Sequence, residues 1–332
     1  MKKFLVIQTA SIGDVVLATS LLEELHYNYP KEKIDILVKK GNESLFEQHP
    51  FVGKVWIWDK KENKYKNLIE IIKGIRKSDY EILININRFF SSGLITALSD
   101  AHLKIGFKKN PLSMFFDRKI EHLISKRKHF HEIERNFKLI AEICLDDESE
   151  VLPPRLYPTP QSIEKVKQYK NTTYYTLSPS SLWFTKQFHT QGWIDLLKHV
   201  PQDSAIYLLG AKSDIELCNE IKKAINHPLC HNLAGKLNFL DSVSLMDNAK
   251  MNFTNDSAPL HFCSSVNAPT TSVFCSTVPA FGFTPLSTDS KIVQTKEHLT
   301  CRPCGLHGHK KCPKGHFKCS TTINIKELIH RL

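Results

Sequence analysis

The chain has 332 residues, of which 41% are hydrophobic and 24% charged, and these ordinary globular proportions exclude an intrinsically disordered protein. A chain of this length exceeds what one hydrophobic core usually supports, so we expect two domains. Lysine and arginine outnumber aspartate and glutamate by 45 to 34, and the net charge of +11 favours an acidic partner: nucleic acid, anionic lipid or a phosphorylated glycan. The alternative interpretation is a basic surface that only keeps the protein soluble.

The sequence also predicts a cytosolic protein. The chain contains no run of 18 apolar residues, which is about the length needed to span a membrane. Gln8 and Asp14 interrupt the first apolar run too early for a signal peptide. The nine cysteines are an odd number, and five of them are isolated, which is typical of reduced thiols rather than of a disulfide framework.

The first half of the chain alternates predicted strands and helices. An apolar strand at Phe4–Ile7 leads through a turn to a helix that begins near Asp14. Further strands are predicted at 34–38, 55–58 and 81–87, and further helices at 65–77, 91–99 and 131–144. Such alternation predicts a parallel sheet with right-handed crossovers.

A proline-rich segment separates this half from the next. Residues 146–161 contain four prolines and no helical or strand periodicity. We therefore predict an N-terminal domain at 1–150, a linker at 151–161 and a C-terminal domain at 162–332. In the last of these, strands are predicted at 174–178, 205–209, 251–255 and 270–274, and helices at 193–200, 213–225 and 241–249, after Ser257 and at 323–332.

Two strand-to-helix junctions carry the polar residues expected of a binding site. The first is Ser11-Ile12-Gly13-Asp14, and the second begins at Asn255-Asp256-Ser257. The start of a helix presents free backbone N–H groups and a positive dipole end, which suit a pyrophosphate. Neither a G-x-G-x-x-G fingerprint nor a G-x-x-x-x-G-K-[ST] loop is present, which argues against simple dehydrogenases and P-loop NTPases.

In order and spacing, the motifs of the chain resemble those of glycosyltransferase family 9, the ADP-heptose:lipopolysaccharide heptosyltransferases. The resemblance spans most of the chain. It rests on Ser11-Ile12-Gly13-Asp14, Leu177-Ser178-Pro179-Ser180-Ser181-Leu182-Trp183 with Lys186 and Trp193, Leu209-Gly210-Ala211 with Glu216, Leu233-Ala234-Gly235-Lys236, and Asn255-Asp256-Ser257-Ala258-Pro259-Leu260-His261.

The resemblance implies an α/β protein of the GT-B class, in which two Rossmann-like domains with parallel sheets face each other across a cleft. It also implies an inverting displacement that requires no metal cofactor. Asp14 would be the base that deprotonates the acceptor hydroxyl, and a cation on the donor diphosphate would stabilise the leaving group. The alternative interpretation of Asp14 is a cap for the following helix, and the two roles can coexist.

On the donor side, Ser180, Ser181 and Lys186 match the phosphate-contacting positions of the family, and Lys186 would stabilise the leaving group during catalysis. Glu216 matches the carboxylate that holds the ribose. The donor sugar and phosphates would contact Asp256, Ser257, Ala258 and His261. Alanine replaces the glycine often found at position 258, so a methyl group lies near the donor. Taken alone, Lys186 and Glu216 would be solvated surface residues and His261 a packed helix histidine.

On the acceptor side, the resemblance implies an acidic core oligosaccharide on a membrane lipid. Ser11 and Gly13 would face it from the first turn. Basic and aromatic residues at 104–109, with Lys104, Lys108 and Lys109, and at 122–131 suit such a surface. The alternative interpretation is that they form solvated faces.

The C-terminal region contains four closely spaced cysteines, Cys301, Cys304, Cys312 and Cys319, with histidines between them. Thiolates at loop spacing suit a structural zinc ion, but the second pair lacks a C-x-x-C spacing. We favour free thiols, with structural zinc as the alternative.

The resulting hypothesis is a cytoplasmic enzyme, peripheral to the inner membrane, that transfers heptose from ADP-heptose to a lipopolysaccharide core. Within the family, the alternatives are another nucleotide sugar or a protein acceptor. A nucleotide-sugar-binding module without turnover is disfavoured because Asp14 and Lys186 are both present. A nucleic-acid-binding protein would explain the charge, but no recognition helix or RNA-binding signature supports it, and we expect no nucleic-acid partner.

Overall fold

The computed structural model describes residues 2–124, 130–144 and 151–332. It divides into two compact units, Met1–Tyr157 and Pro158–Leu332, and the division falls within the proline-rich segment. Part of the basic segment predicted at 122–131 lies outside the described residues, as do all of residues 146–150.

Unit 1 is built on a six-stranded parallel sheet. The strands are β1 (Lys3–Gln8), β2 (Lys33–Lys39), β3 (Val52–Trp58), β4 (Ile82–Asn85), β5 (Leu103–Phe107) and β6 (Arg118–Ile120). Their order is β3-β2-β1-β4-β5-β6. The helices are α1 (Ile12–Asn28), α2 (Lys64–Lys77), α3 (Phe90–Ala97) and α4 (Glu132–Phe137), with short 3-10 helices at Glu43–Phe46, Ser113–Phe115 and Ala141–Ile143.

Unit 2 repeats this architecture. Its strands are β7 (Tyr174–Ser178), β8 (Ala205–Leu208), β9 (Cys230–Asn232), β10 (Met251–Asn255), β11 (Thr270–Phe274) and β12 (Ser290–Gln294), in the order β12-β11-β10-β7-β8-β9. The helices are α5 (Pro160–Lys167), α6 (Thr190–Leu197), α7 (Ile215–Ile225), α8 (Phe239–Asp247), α9 (Ala258–Ser265), α10 (Lys318–Thr321) and α11 (Lys326–Ile329).

Each unit has its own hydrophobic core around the central strands. In unit 1, Leu5 and Ile7 of β1 pack in one cluster with Leu83 of β4 and with Ile75 of α2. In unit 2, Leu177, Phe253 and Val273 belong to a cluster with Trp193 of α6. Because helices cover both faces of a parallel sheet, its central strands are buried throughout rather than alternating between buried and exposed residues. Both sheets have the Rossmann-type strand order, which confirms the predicted α/β fold with two Rossmann-like domains.

Several predicted elements are confirmed and others are wrong. The strands at 174–178, 251–255 and 270–274 are found as predicted. The helix predicted at 131–144 covers only Glu132–Phe137. Beyond it the backbone forms hydrogen bonds that span three residues, as in a 3-10 turn, from Leu139 N to Asn136 O and from Ile140 N to Phe137 O. The helix predicted at 323–332 is limited to Lys326–Ile329. The sequence did not predict β5, β6, β9 or β12.

None of the helices in the described ranges combines the length and the apolar character that crossing a lipid bilayer requires.

Candidate active site

The strand order creates a switch point in each sheet. β1 lies beside β4 in unit 1, and β7 lies beside β10 in unit 2. Chain connections leave these neighbours toward opposite sides, which opens a crevice at their carboxyl ends, where ligands of such folds bind. The two junctions singled out in the sequence follow β1 and β10, so both lie at switch points.

Asp14 lies in the first turn of α1, directly after β1. Its Oδ2 atom accepts hydrogen bonds from Ser11 N at 3.1 Å and from Ser11 Oγ at 2.5 Å. The carboxylate therefore helps to fix the helix start, as the alternative interpretation of Asp14 proposed. Asp14 is nevertheless partly exposed and Ser11 is exposed, whereas Gly13 is buried. The carboxylate remains accessible while it holds the turn.

A buried amide network fixes the backbone that leads to this turn. Asn87 Oδ1, after β4, accepts from Thr9 N at 2.7 Å and from Thr9 Oγ1 at 3.0 Å, and Asn87 Nδ2 donates to Gln8 Oε1. Asn85 Oδ1 in turn accepts from Asn87 N at 2.9 Å. The switch point of unit 1 is therefore rigidly defined on the side that precedes Ser11.

Lys60 is a site residue that the sequence analysis missed. It follows β3, and its Nζ donates to Thr9 O at 2.8 Å and lies 4.6 Å from the centre of the Trp58 ring. Burial, with a smaller contribution from Lys39 and Lys64, lowers its pKa to about 8. The sequence feature that could have identified Lys60 is its position immediately after a strand of the same parallel sheet. The Lys60 side chain therefore places a cation against the turn that carries Asp14.

The predicted acceptor-side lysines lie around β5. Lys104 is within the strand, and its backbone N–H donates to Asp117 Oδ2 at 2.7 Å. Lys108 and Lys109 follow the strand and are exposed. The Lys108 ammonium lies 2.9 Å from Glu121. Because the carboxyl end of β5 lies at the same edge as that of β1, Lys108 and Lys109 belong to the edge that carries Asp14, whereas Lys104 lies further back.

In unit 2, the structure brings Lys186 and Asp256 together, although 70 positions separate them. The Lys186 ammonium lies 2.8 Å from Asp256 Oδ2. Thr277 Oγ1 donates to the same oxygen at 2.5 Å. Their side chains are only 17% and 7% exposed, so Lys186 is not the solvated surface lysine of the alternative interpretation. The pair lies at the edge where β7, β10 and β11 end.

The loop between β7 and Lys186 is fixed by Asn255. Its Nδ2 donates to Pro179 O at 2.8 Å and to Ser180 O at 3.4 Å, and its Oδ1 accepts from Phe188 N at 2.7 Å. Ser180 and Ser181 are half-buried beside this anchor. Among the described residues, three buried hydroxyl groups at the same strand ends have no hydrogen-bond partner: those of Ser178, Ser257 and Ser276. Buried hydroxyls normally have partners, so these three are available to bind water or a polar ligand.

The remaining predicted donor residues lie on two helices. Ser257 occupies the N-cap position of α9 without a side-chain capping bond, Ala258 is the first residue of the helix, and His261 is buried within it. Glu216 lies in the first turn of α7 and is exposed. A cavity of about 490 Å³ opens near that turn, with Lys212, Ile215 and the Ala234–Gly235 turn among its walls. Glu216 itself is not part of the wall.

The cysteine-rich segment packs directly on the Lys186 loop. Thr185 N donates to His309 O at 3.1 Å, and His309 N donates to Thr185 Oγ1 at 2.7 Å. Gly308 has φ +78°, and a Cβ atom there would lie 2.8 Å from Thr185 Oγ1 and 3.2 Å from Lys186 Cγ. Only glycine accommodates both this backbone conformation and this close approach.

Arg302 anchors the same segment to the strand ends, and sequence reasoning did not identify it. Its guanidinium donates to the carbonyl oxygens of Phe274, Cys275 and Thr277 at 3.0, 2.6 and 2.7 Å, and to Gln294 Oε1 at 2.8 Å. Burial lowers the pKa of this guanidinium. The hydrogen bond to Thr277 O links Arg302 to the residue that contacts Asp256.

We expect Arg302→Ala to lower the free energy of unfolding by about 2–4 kcal/mol, because it leaves several buried carbonyl groups without their donor. Urea unfolding would measure the change. Lys311→Ala, at an exposed position of the same segment, should stay within about 0.5 kcal/mol of the unaltered protein. Equal urea concentrations at the midpoint of unfolding for the two variants would contradict an anchoring role for Arg302.

The four predicted cysteines converge on one cavity of about 220 Å³, which Arg302 and His316 also line. Cys301 Sγ lies 3.8 Å from His316 Nε2, and burial raises the pKa of Cys319 to about 11. Within the described ranges, no three histidine, cysteine or acidic side chains form a group that could hold a metal ion. Free thiols stay the prediction and structural zinc its alternative, and elemental analysis of the purified protein would distinguish them.

The amino-acid sequence is similar to those of proteins whose family is known. Residues 68–314 match the family described as glycosyltransferase family 9 (heptosyltransferase). Lipopolysaccharide heptosyltransferase 3 of Escherichia coli is 25% identical over 287 residues, which cover 80% of this chain and 81% of that protein.

Solved structures share the fold over most of their length. The E. coli ADP-heptose lps heptosyltransferase II superposes with a TM-score of 0.80 at 20% identity, over 100% of this chain and 97% of that one. The E. coli heptosyltransferase WaaC, solved with ADP, gives a TM-score of 0.71 at 20% identity, over 87% and 92% of the two chains.

Proposed function

Because this chain belongs to glycosyltransferase family 9 and is a glycosyltransferase, we propose that it transfers heptose from ADP-heptose to an acidic lipopolysaccharide core. The observation that carries the donor half of this proposal is the Lys186–Asp256 pair, surrounded by buried hydroxyls without partners at a sheet switch point. A nucleoside diphosphate sugar would supply phosphate and sugar oxygens that Lys186 and the hydroxyls without partners can bind. Relatives solved with ADP or described as ADP-heptose transferases support the choice of donor.

The proposed reaction is a single displacement with inversion. Asp14 accepts the proton of an acceptor hydroxyl while that oxygen attacks the anomeric carbon of the donor sugar. The bond from the anomeric carbon to the diphosphate oxygen breaks, and its electron pair leaves with ADP. Lys186 stabilises the charge that develops on the diphosphate, together with N–H groups at the start of α9. We propose that catalysis requires no metal cofactor, since Lys186 can supply this positive charge.

The acceptor half of the proposal rests on unit 1. Lys60, Lys108 and Lys109 place positive charge at the sheet edge that carries Asp14, and this arrangement suits a phosphorylated or carboxylated glycan. The lipopolysaccharide acceptor comes from the relatives' names. A lipid-borne acceptor would bring the enzyme to the cytoplasmic face of the inner membrane.

A thermal-shift panel of nucleotides tests the donor. A ligand present at 100 times its dissociation constant adds about 2.7 kcal/mol to the free energy of unfolding. We expect ADP to raise the melting temperature more than UDP or GDP at equal concentration. Glu216→Ala should weaken the response to ADP if this carboxylate holds the ribose. An equal response to all three nucleotides would contradict an ADP-sugar donor, and a preference for UDP would indicate another sugar nucleotide.

A further inference from the structure

Four large apolar side chains are exposed at one edge of unit 1. Phe89 and Phe90, at the start of α3, are 53% and 59% exposed. Met114 and Phe115, in the 3-10 helix after β5, are 71% and 54% exposed. We call these four residues the apolar rim. Exposed apolar side chains grouped in this way mark an interaction surface, whereas isolated ones are common on any protein.

Hydrogen bonds and close packing join the two halves of the apolar rim. Asn110 Nδ2 donates to Asn87 O at 3.0 Å and to Phe89 O at 3.1 Å. A Cβ atom at Gly93 of α3 would lie 3.0 Å from Leu112 Cβ. The chain after β5 therefore lies against the first turns of α3, and α3 contacts the 3-10 helix. The apolar side chains are presented by backbone that is held in place.

Positive charge surrounds the apolar rim. Arg88 and Lys109 are exposed and form no ion pair within the part of the chain that the structure describes. Lys108 lies next to Lys109 and pairs with Glu121, and the Lys60 ammonium is 6.0 Å from the centre of the Phe89 ring. Asp117, which follows the 3-10 helix, and Glu121 are both exposed carboxylates. Apolar side chains beside uncompensated cations are complementary to a bilayer that carries anionic headgroups.

We propose that the apolar rim docks on an anionic phospholipid bilayer. Phe89, Phe90, Met114 and Phe115 insert at the level of the headgroups, and the flanking lysine and arginine side chains contact lipid phosphates. The inference deepens the proposed function and rests on it for the lipid-borne acceptor. The rim follows β4 and β5, whose carboxyl ends lie at the same sheet edge as that of β1. Docking would therefore bring headgroup sugars to the edge that carries Asp14.

Vesicle sedimentation tests the docking. The full chain should bind vesicles of phosphatidylcholine with about one quarter phosphatidylglycerol at least ~10-fold more tightly than phosphatidylcholine alone, and added salt should weaken the binding. Phe90→Ser combined with Phe115→Ser should lower the affinity for the anionic vesicles at least ~10-fold. As a matched control, Tyr65→Ser combined with Ile69→Ser removes side chains of α2 that are 74% and 53% exposed, and should change the affinity less than ~2-fold.

Two outcomes would overturn the proposal: equal binding to both kinds of vesicle, or unaltered vesicle binding by the rim variant. The second outcome would assign the rim to a protein partner instead. An unchanged melting temperature shows that the rim variant is folded. Transfer to an acceptor freed of its lipid should be normal in this variant. Absence of that transfer in the unaltered protein would contradict the proposed function, while vesicle binding would still decide the docking.

Discussion

Asp14→Asn should reduce turnover at least ~100-fold while the affinity for the donor nucleotide stays within a factor of about two. Asparagine has nearly the shape of aspartate and keeps an oxygen that can accept from Ser11 N, so the helix start is preserved. It cannot accept the proton of the acceptor hydroxyl. Steady-state kinetics with saturating donor and acceptor would measure the loss, and nucleotide titration would confirm that the donor still binds.

Ser11→Ala is the matched control for Asp14. It removes the hydroxyl group that donates to Asp14 Oδ2 at 2.5 Å but leaves the carboxylate in place. We expect turnover to fall by less than ~10-fold, because the backbone bond from Ser11 N still orients the side chain. Near-normal turnover in Asp14→Asn would rule out Asp14 as the base and leave it only the capping role. An equal loss in both variants would show that the geometry of the turn matters more than the carboxylate.

Lys186→Ala is expected to reduce turnover by ~10²–10³-fold, because it removes the positive charge proposed to stabilise the departing diphosphate. The affinity for ADP should fall as well, since a charge-assisted hydrogen bond contributes about 1.5–3 kcal/mol. Presteady-state measurement of a single turnover would separate the chemical step from donor binding. Lys186→Arg should recover part of the rate, because the charge is kept while its position changes.

Two checks separate catalysis from folding in the Lys186 variant. The substitution leaves Asp256, which is 7% exposed, with Thr277 as its remaining hydrogen-bond donor in the described residues, so some loss of stability is expected. Urea unfolding defines conditions in which the variant is folded, and kinetics are compared there. Lys198→Ala, at a lysine that is 51% exposed in the same unit, should have normal turnover. Normal turnover in Lys186→Ala would remove Lys186 from the mechanism.

The order of the strands explains which parts of the fold could be predicted. Strands such as Tyr174–Ser178 and Thr270–Phe274 were found as predicted because their β-branched and aromatic residues are typical of strands buried on both faces. β5 was missed because Lys104 and Gly106 interrupt its apolar pattern, and β6 has only three residues, of which two are basic. Short strands away from the centre of a sheet carry too little apolar pattern to identify them in a sequence.

Local sequence also carries too little information to predict the contacts within the candidate site. Motif resemblance identified Lys186 and Asp256 separately, but their ion pair depends on β7 lying beside β10, which no local pattern specifies. Lys60 and Arg302 were missed for a related reason. Each contacts a residue at the end of a strand that is distant in the sequence. Lys60 contacts Thr9 after β1, and Arg302 contacts Phe274 of β11, so both roles exist only in the folded chain.

The contact between Gly308 and the Lys186 loop has a consequence for building hybrid enzymes from family members. A crossover placed after β12 would combine the loop of one parent with the tail of another. Any side chain larger than hydrogen at position 308 would then collide with Thr185 or Lys186. A hybrid that keeps the Lys186 loop of this chain therefore needs glycine at position 308, and a crossover near residue 157 secures this because it keeps both segments together.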